Sequence, residues 1–213
     1  MRFFSIILIA AAAAYHPIYA ADFTTFDDIP EFEVKNAGRA HIKLLRDGGY
    51  VLFMRHTNSD TSHPDQLNIN LNDCETQRPL SAEGIHMATR IGRSIRIAKI
   101  PIGEIFSSPM CRTKDTASFT FGSNFNVDDH LMYTANIKPK EKISVLEATR
   151  ELLSKPIDGK VNRVIVAHAQ NIMGLIGYFP SPEGTIVIFK PLGNKQFEYV
   201  ATVEPEQWKF IQQ

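Results

Sequence analysis

VLFMRHTNSD (residues 51–60) and VIVAHAQN (residues 164–171) decide how this chain folds, because each is a short apolar run that ends at a histidine. Such runs are too short for a buried helix, and they suit central strands of a sheet covered on both faces. In open α/β sheets, ligands gather outside the carboxyl ends of the strands. One strand end supplies Arg55-His56-Thr57, and the other supplies His168 with Gln170 and Asn171 beyond it. If the two strands are neighbours, these groups meet. A third stretch, IGEIFSSPMCRT (residues 102–113), reads as a strand, EIFSS, with Ser108 and Pro109 then opening a helix to Phe119. Proline suits a first helical turn, where its missing N–H would have no partner anyway. This third strand end adds Ser107, Ser108 and, just inside the helix, Arg112.

The flanking segments fill in an alternating pattern. Residues 34–47 suit a helix with Ala37, Ala40, Leu44 and Leu45 inward, broken by Gly48-Gly49. Residues 58–80 form a polar loop, long for a compact domain, and loops of that length are often functional. Ser81 is a good N-cap for a helix on which Ile85, Ala88, Ile91, Ile95 and Ala98 recur. Gly84 and Gly92 weaken that helix, which a close packing contact at either would explain. Residues 127–133 suit a short strand, and residues 139–154 a helix with Ile143, Leu146, Arg150 and Leu153 on one side. NIMGLIGYF reads as a short helix ended by Pro180; GTIVIFKP and FEYVATVE read as two strands of a hairpin turning near Gly193. The order argues for a single α/β domain.

Composition agrees. The chain has 213 residues, 44% apolar and 22% charged, which suits one globular core. Formal net charge is zero, so nothing steers it toward nucleic acid or an acidic membrane face. The first twenty residues, MRFFSIILIAAAAAYHPIYA, stand apart: one basic residue, then an apolar run from Phe3 to Ala14 that is too short to span a bilayer. They read as a secretory signal cut after Ala20 or Ala21, although Ile18 sits where a small residue is commoner. The expected organisation is a signal peptide over 1–20 and one domain over 21–213. The mature protein is then periplasmic or secreted, with no stable membrane anchor. Cys74 and Cys111 are the only cysteines. Export permits one disulfide between them, and two free thiols remain open, because spacing does not decide geometry.

Two arginines in a concave pocket suit a phosphoryl group, whose oxygens match the guanidinium fork. Two histidines divide the remaining work: a neutral ring nitrogen attacks phosphorus and the other ring donates to the oxygens. Amides at the start of the Ser108–Phe119 helix would add to the anion site. A metal centre needs three or more suitable ligands. His56, His63, His168 and Asp73 can be gathered on paper, but no HxxxH or CxxC pair exists, and Arg55 and Arg112 would repel a cation. No metal or other cofactor is expected. The GxSxG element of serine hydrolases is also missing.

RHT at 55–57 resembles the Arg-His signature of the histidine phosphatase superfamily, commonly RHG. QRPLSAEG at 77–84 resembles its RxLxxxG segment, SSPMCRTKDTA at 107–117 its SSPxxRxxxTA segment, and VIVAHAQN its strand to the second histidine. The resemblance covers roughly Gly49 to Asn171. It implies a three-layer α/β/α sandwich with a mostly parallel central sheet, phosphoglycerate mutase-like. It also implies His56 as a nucleophile that becomes phosphohistidine, with Arg55, Arg112 and His168 binding phosphate. Thr57 and Ala167 depart from the usual glycines. Two familiar general acids are missing: Tyr133 lies where mutase-like relatives carry a glutamate, and Ala169 where acid phosphatases carry an aspartate. Glu183, in SPEGTIVIF, is the first choice of acid because its PEG-then-strand arrangement resembles compact exported members; Asp60 and Asp73 are the reserves. Beside this site, a Cys74–Cys111 bond would tether the long loop. Cys111 as a nucleophile is disfavoured, because no CxxxxxR phosphate loop exists.

The reading that follows is an exported, metal-independent phosphomonoesterase for a small phosphorylated substrate, possible candidates being a sugar phosphate or a cell-envelope (lipopolysaccharide core) phosphate. Residues 58–80 and 120–138 would select it. The alternatives are a phosphate- or sugar-phosphate-binding protein without turnover, motivated by the missing acids, and a phosphohistidine phosphatase, whose substrate needs little acid assistance. A mutase is disfavoured by export.

Overall fold

The computed structural model describes residues 32–135 and 137–211, so the expected signal peptide lies outside the described residues. In chain order the elements are α1 (Arg39–Asp47), β1 (Val51–Arg55), α2 (Ala82–Ile97), β2 (Ile102–Ser107), α3 (Cys111–Phe121), β3 (Asn126–Val127), α4 (Pro139–Ser154), β4 (Asn162–Ala167), α5 (Ala169–Ile176), β5 (Ile186–Gly193), β6 (Gln196–Val203) and α6 (Trp208–Ile211). The strands form one sheet in the order β3-β2-β4-β1-β5-β6. The first four run parallel, and β5 and β6 are antiparallel additions at one side.

The apolar runs at β1 and β4 are continuous because both faces of the sheet are covered. Leu52 and Met54 of β1 join Ile42 and Leu45 of α1, Ile91 and Ile95 of α2, Ala117 of α3 and Trp208 of α6 in one core. Val51 and Phe53 point the other way, toward Leu153 of α4, Ile172 of α5, and Ile165 and Phe189 of the neighbouring strands. These four apolar side chains of β1 are fully buried, each contributing about 1.5–3 kcal/mol over an exposed one. The result is the expected three-layer α/β/α sandwich with a mostly parallel sheet.

Ser81 caps α2 as read from the sequence, its Oγ accepting the Gly84 N–H at 3.1 Å. Both α2 glycines mark close approaches. A Cβ on Gly84 would come within 2.0 Å of the Asn58 carbonyl oxygen, and one on Gly92 within 2.1 Å of that of Thr120. The hairpin also stands: Asn194 and Lys195 both have positive φ (49° and 60°), the backbone of a two-residue turn matched to strand twist.

Three local expectations change. Helix α1 begins at Arg39 and buries Ile42 and Leu45, leaving Ala40 and Leu44 exposed. The chain before it is extended, and Ala37 N–H donates to the Thr202 carbonyl at 2.8 Å, so Ala37 is buried by sheet-edge pairing. On α4 the inward positions are Val145, Thr149 and Leu153, while Ile143 is 59% exposed. Of residues 127–133 only Val127 pairs as strand. Asp128 then accepts the His130 N–H at 2.9 Å and turns the chain into a 3₁₀ turn that buries Leu131.

Candidate active site

Strands β2, β4 and β1 are consecutive, so their carboxyl ends lie side by side. Main-chain pairing continues past the strands: His56 N–H donates to the Ala167 carbonyl at 3.0 Å, and Ser108 N–H to that of Val166 at 2.9 Å. The two histidines therefore meet as the sequence led one to expect, their ring centroids 5.4 Å apart.

His56 is 3% exposed. Its Nδ1 lies 3.0 Å from the Thr57 carbonyl oxygen, an acceptor only, so Nδ1 carries the proton and Nε2 the lone pair. Burial, and then the Arg112 charge, push its pKa down to about 3, with Arg55 and Arg78 adding to the effect against the Thr57 hydrogen bond. The ring is neutral across the physiological range, as a nitrogen nucleophile must be. His168 is fully buried and sits at the N-cap of α5. Burial, then the neighbouring His56 and the arginines, hold its pKa well below the usual histidine value. Its Nε2 lies 2.9 Å from Ser108 Oγ, and its buried Nδ1 has no partner. A Ser108 O–H donated to Nε2 leaves the Nδ1 proton as a free donor.

Three arginines surround this pair. Arg112 is fully buried, with Nη1 donating to Asp65 at 3.0 Å and to its second oxygen at 3.3 Å. Its Nε and Nη2, one edge of the guanidinium fork, have no partner. Arg55 Nη1 donates to the Pro180 carbonyl at 2.9 Å and Nη2 to Glu183 Oε1 at 3.1 Å. Arg78 depresses the pKa of both histidines, and its buried Nε also lacks a partner. Burying a donor without an acceptor costs about 1–3 kcal/mol. Arg112 Nε and Nη2, Arg78 Nε and His168 Nδ1 all stand uncompensated around one lone-pair nitrogen. A tetrahedral oxyanion would satisfy such a set.

The expected helix-terminus contribution is different. Pro109 and Met110 stay outside α3, which begins at Cys111; its first amide donates to Gln77 Oε1 at 2.8 Å. Thr57, in place of glycine, is buried and bound to α3, its N–H donating to Thr116 Oγ1 at 3.1 Å. Tyr133 walls the pocket, with its ring centroid 5.1 Å from that of His168 and 5.0 Å from the Arg112 guanidinium carbon.

Glu183 lies beside His56, its Oε1 3.8 Å from Nδ1. Its oxygens take Arg55 Nη2 and, at 2.9 Å, the Ser59 N–H. The following Gly184 has φ +85° and donates its N–H to the His56 carbonyl at 2.9 Å; a Cβ there would come within 2.6 Å of Met87 Sδ. Glycine is what lets the Glu183 turn close on the site. Of the reserve acids, Asp60 is partly exposed on a wall of the cleft beside Arg55 and Glu183, bound to Ser62 and His63, which hold it down at about 2; Asp73 caps a short 3₁₀ turn. Cys74 and Cys111 form a disulfide that joins the 58–80 loop to the start of α3. Among the described residues no three His, Cys, Asp or Glu side chains cluster as a metal site would require, and no helix is long and apolar enough to cross a membrane.

Sequence reasoning missed Arg78 and Asp65. Arg78 carried a signal, being the arginine of the RxLxxxG segment; Asp65 is one carboxylate in a polar loop and carried none.

No protein-family model matches the chain, and no curated protein is similar to it in sequence. Solved structures are similar in fold. The protein histidine phosphatase SixA, solved with tungstate, superposes with a TM-score of 0.51 at 14% identity, covering 74% of this chain and 98% of that one. YhfR from Bacillus stearothermophilus gives 0.51 at 14% identity, covering 71% and 95%. The histidine-phosphatase, phosphoglycerate mutase-like fold is thus shared with proteins of very different sequence.

Proposed function

We propose that the protein is a metal-independent phosphomonoesterase that works through a phosphohistidine at His56. One observation carries this reading: a neutral histidine with a free Nε2 lone pair faces a buried set of unpartnered cationic and imidazole donors. Nε2 attacks phosphorus, and the bond to the leaving oxygen breaks. Arg112, Arg78, Arg55 and His168 bind the phosphoryl oxygens through attack and departure, and water then cleaves the phosphorus–nitrogen bond. Glu183 holds Arg55. The tungstate in SixA, also a tetrahedral oxyanion, is consistent with this use of the fold.

A polar cleft of about 580 Å³ opens beside Arg55 and Glu183, with Asn58, Ser59, Asp60 and Ser81 among its walls. Amide, hydroxyl and carboxylate groups there suit a hydroxyl-rich leaving group such as a sugar, in keeping with an envelope sugar phosphate. The reading includes export, with cleavage after Ala20 or Ala21 and a periplasmic or secreted mature protein; the disulfide supports an oxidising compartment. A mature chain whose first residue is Met1 would refute the export.

The activity is tested with p-nitrophenyl phosphate and quenched-flow labelling. Wild type should form an acid-labile phosphoryl adduct on His56, and His56→Ala should lose both adduct and turnover. Hydrolysis that survives in His56→Ala would overturn the mechanism.

A further inference from the structure

A neutral His168 can donate to a phosphoryl oxygen only if its one ring proton sits on the nitrogen that faces the pocket. We propose that Ser108 is the positioning residue that keeps the proton there, fixing His168 as the Nδ1–H tautomer for oxyanion binding; the inference rests on the phosphoryl pocket of the reading above. Ser108 Oγ lies 2.9 Å from His168 Nε2, and both residues are fully buried. Among the described residues that ring nitrogen is the hydroxyl's only hydrogen-bond partner.

A serine hydroxyl can donate or accept, so the distance alone does not place the proton. The surroundings do. Burial, His56 and the neighbouring arginines keep the ring neutral, so Nε2 and Nδ1 share a single proton between them. If Nε2 held it, Ser108 Oγ would accept, and the serine's own proton would be buried with nothing to receive it. Nδ1 would then offer a lone pair to a phosphoryl oxygen, which is itself an acceptor. Both mismatches leave a buried polar group unpaired. If Ser108 donates to Nε2, the hydroxyl and Nε2 are both satisfied, and the Nδ1 proton is the one group left over. Nδ1 is the ring atom that stands buried without a partner beside the unpartnered arginine nitrogens.

Two separate holds act on His168. Asn171 fixes the main chain: its Oδ1 accepts the His168 N–H at 3.2 Å, and its Nδ2 donates to Thr149 Oγ1 of α4 at 3.3 Å. Ser108 fixes the ring proton from the opposite side. It is itself anchored through its main chain, its N–H donating to the Val166 carbonyl at 2.9 Å and its carbonyl accepting the Ser107 and Thr113 hydroxyls at 3.0 and 2.9 Å. Asn171 thus sets where the imidazole stands, and Ser108 sets which of its edges donates.

Ser108→Ala removes the hydroxyl and leaves those main-chain bonds in place. The tautomer is read by NMR from the ring nitrogens of the labelled, phosphate-free full chain, with His168→Ala identifying the resonances. Phosphate affinity is read by calorimetric titration with inorganic phosphate. Wild type should show Nδ1 protonated and Nε2 bare. Ser108→Ala should lose that single tautomer and bind phosphate roughly 10–100-fold more weakly, the usual value of a hydrogen bond to a charged acceptor. Because Ser108 acts through His168, adding Ser108→Ala to His168→Ala should cost less than about threefold more. Thr113→Val loosens the same turn without touching His168, and it should keep the wild-type tautomer and an affinity within about threefold. An unchanged His168 tautomer in Ser108→Ala would overturn the proposal. So would losses that add in full in the double variant, or an equal loss in Thr113→Val, since either would make Ser108 a packing residue. None of these measurements needs turnover, so a wild type that forms no adduct on His56 would bring down the phosphohistidine mechanism and leave the tautomer assignment to stand or fall on its own.

Discussion

Breaking the Cys74–Cys111 bond should cost stability chiefly through the unfolded chain. The bond closes a loop of sequence separation 37. On the chain-entropy relation, a loop of that size contributes about 4 kcal/mol at 25 °C. In the native state the same segment keeps other attachments: Asp65 on Arg112, the Cys111 N–H on Gln77, and Asp60 N–H on the Pro79 carbonyl at 2.9 Å. Reduction should therefore leave a folded protein that melts lower. For a domain of this size, roughly 2–4 °C per kcal/mol gives a drop in Tm of about 8–16 °C. Calorimetry of the oxidised protein, the reduced protein and Cys74→Ser/Cys111→Ser checks this, and the last two should agree. The kinetic companion is a rise in KM, because the tethered segment carries both Asp65 and Arg78. A shift below about 3 °C with unchanged KM would refute the reasoning. It would mean that the polar contacts alone hold the loop and that the unfolded chain gains little freedom on reduction.

The buried histidines make stability fall with acid. His56 has a folded-state pKa of about 3, below its ordinary unfolded value near 6.5, so its contribution is intact above pH 6.5 and is lost as pH falls toward 3. At pH 5 the loss from His56 alone is about 2 kcal/mol; urea midpoints at pH 7.5 and pH 5 should differ less in His56→Asn than in wild type, and equal differences would sink the assignment. Glu183→Gln should raise KM through a loosened Arg55 and should slow alkyl and aryl esters alike. Steady-state kinetics on the two ester types checks this, and a loss confined to alkyl phosphates would make Glu183 the general acid. Phe53→Ala should cost about 3–5 kcal/mol with the active site still able to bind phosphate, since Phe53 is fully buried in the α4–α5 core. Chemical denaturation and phosphate titration read the two halves of that statement.

What could be read in advance follows from where information sits in a chain. His56 and His168 were legible because a central strand buried on both faces must be written as a continuous apolar run, which points at its own carboxyl end. The histidines' closeness then needs only that β1 and β4 be neighbours, and they are. Arg112 was legible because it lies just past strand β2 in the SSPMCRT stretch, although β2 itself, IGEIFS, is neither continuously apolar nor buried on both faces. The faces of α1 and α4 were misread where apolar residues outnumber core positions: Leu44 and Ile143 are exposed, while Thr149 is buried because its hydroxyl donates to the Val145 carbonyl at 2.8 Å. Helix periodicity ranks side chains by polarity and does not see that internal bond.

Asp65 and Ser59 belong to a different class. Their positions depend on a loop whose shape is set by a disulfide, by Gln77 and by contacts with groups far off in sequence, none of which imposes a local pattern. On the proposed reading the same physics separates the two groups. His56 must be held rigid and neutral, so a strand end presents it and burial keeps it uncharged. Residues that would meet a leaving group, which differs between substrates, stand on the segment that can be reshaped without disturbing the sheet. On that account the variants should divide by location: changes at β1 and β4 abolish labelling of His56, while changes in residues 58–80 alter which esters are hydrolysed and leave labelling by an aryl phosphate in place.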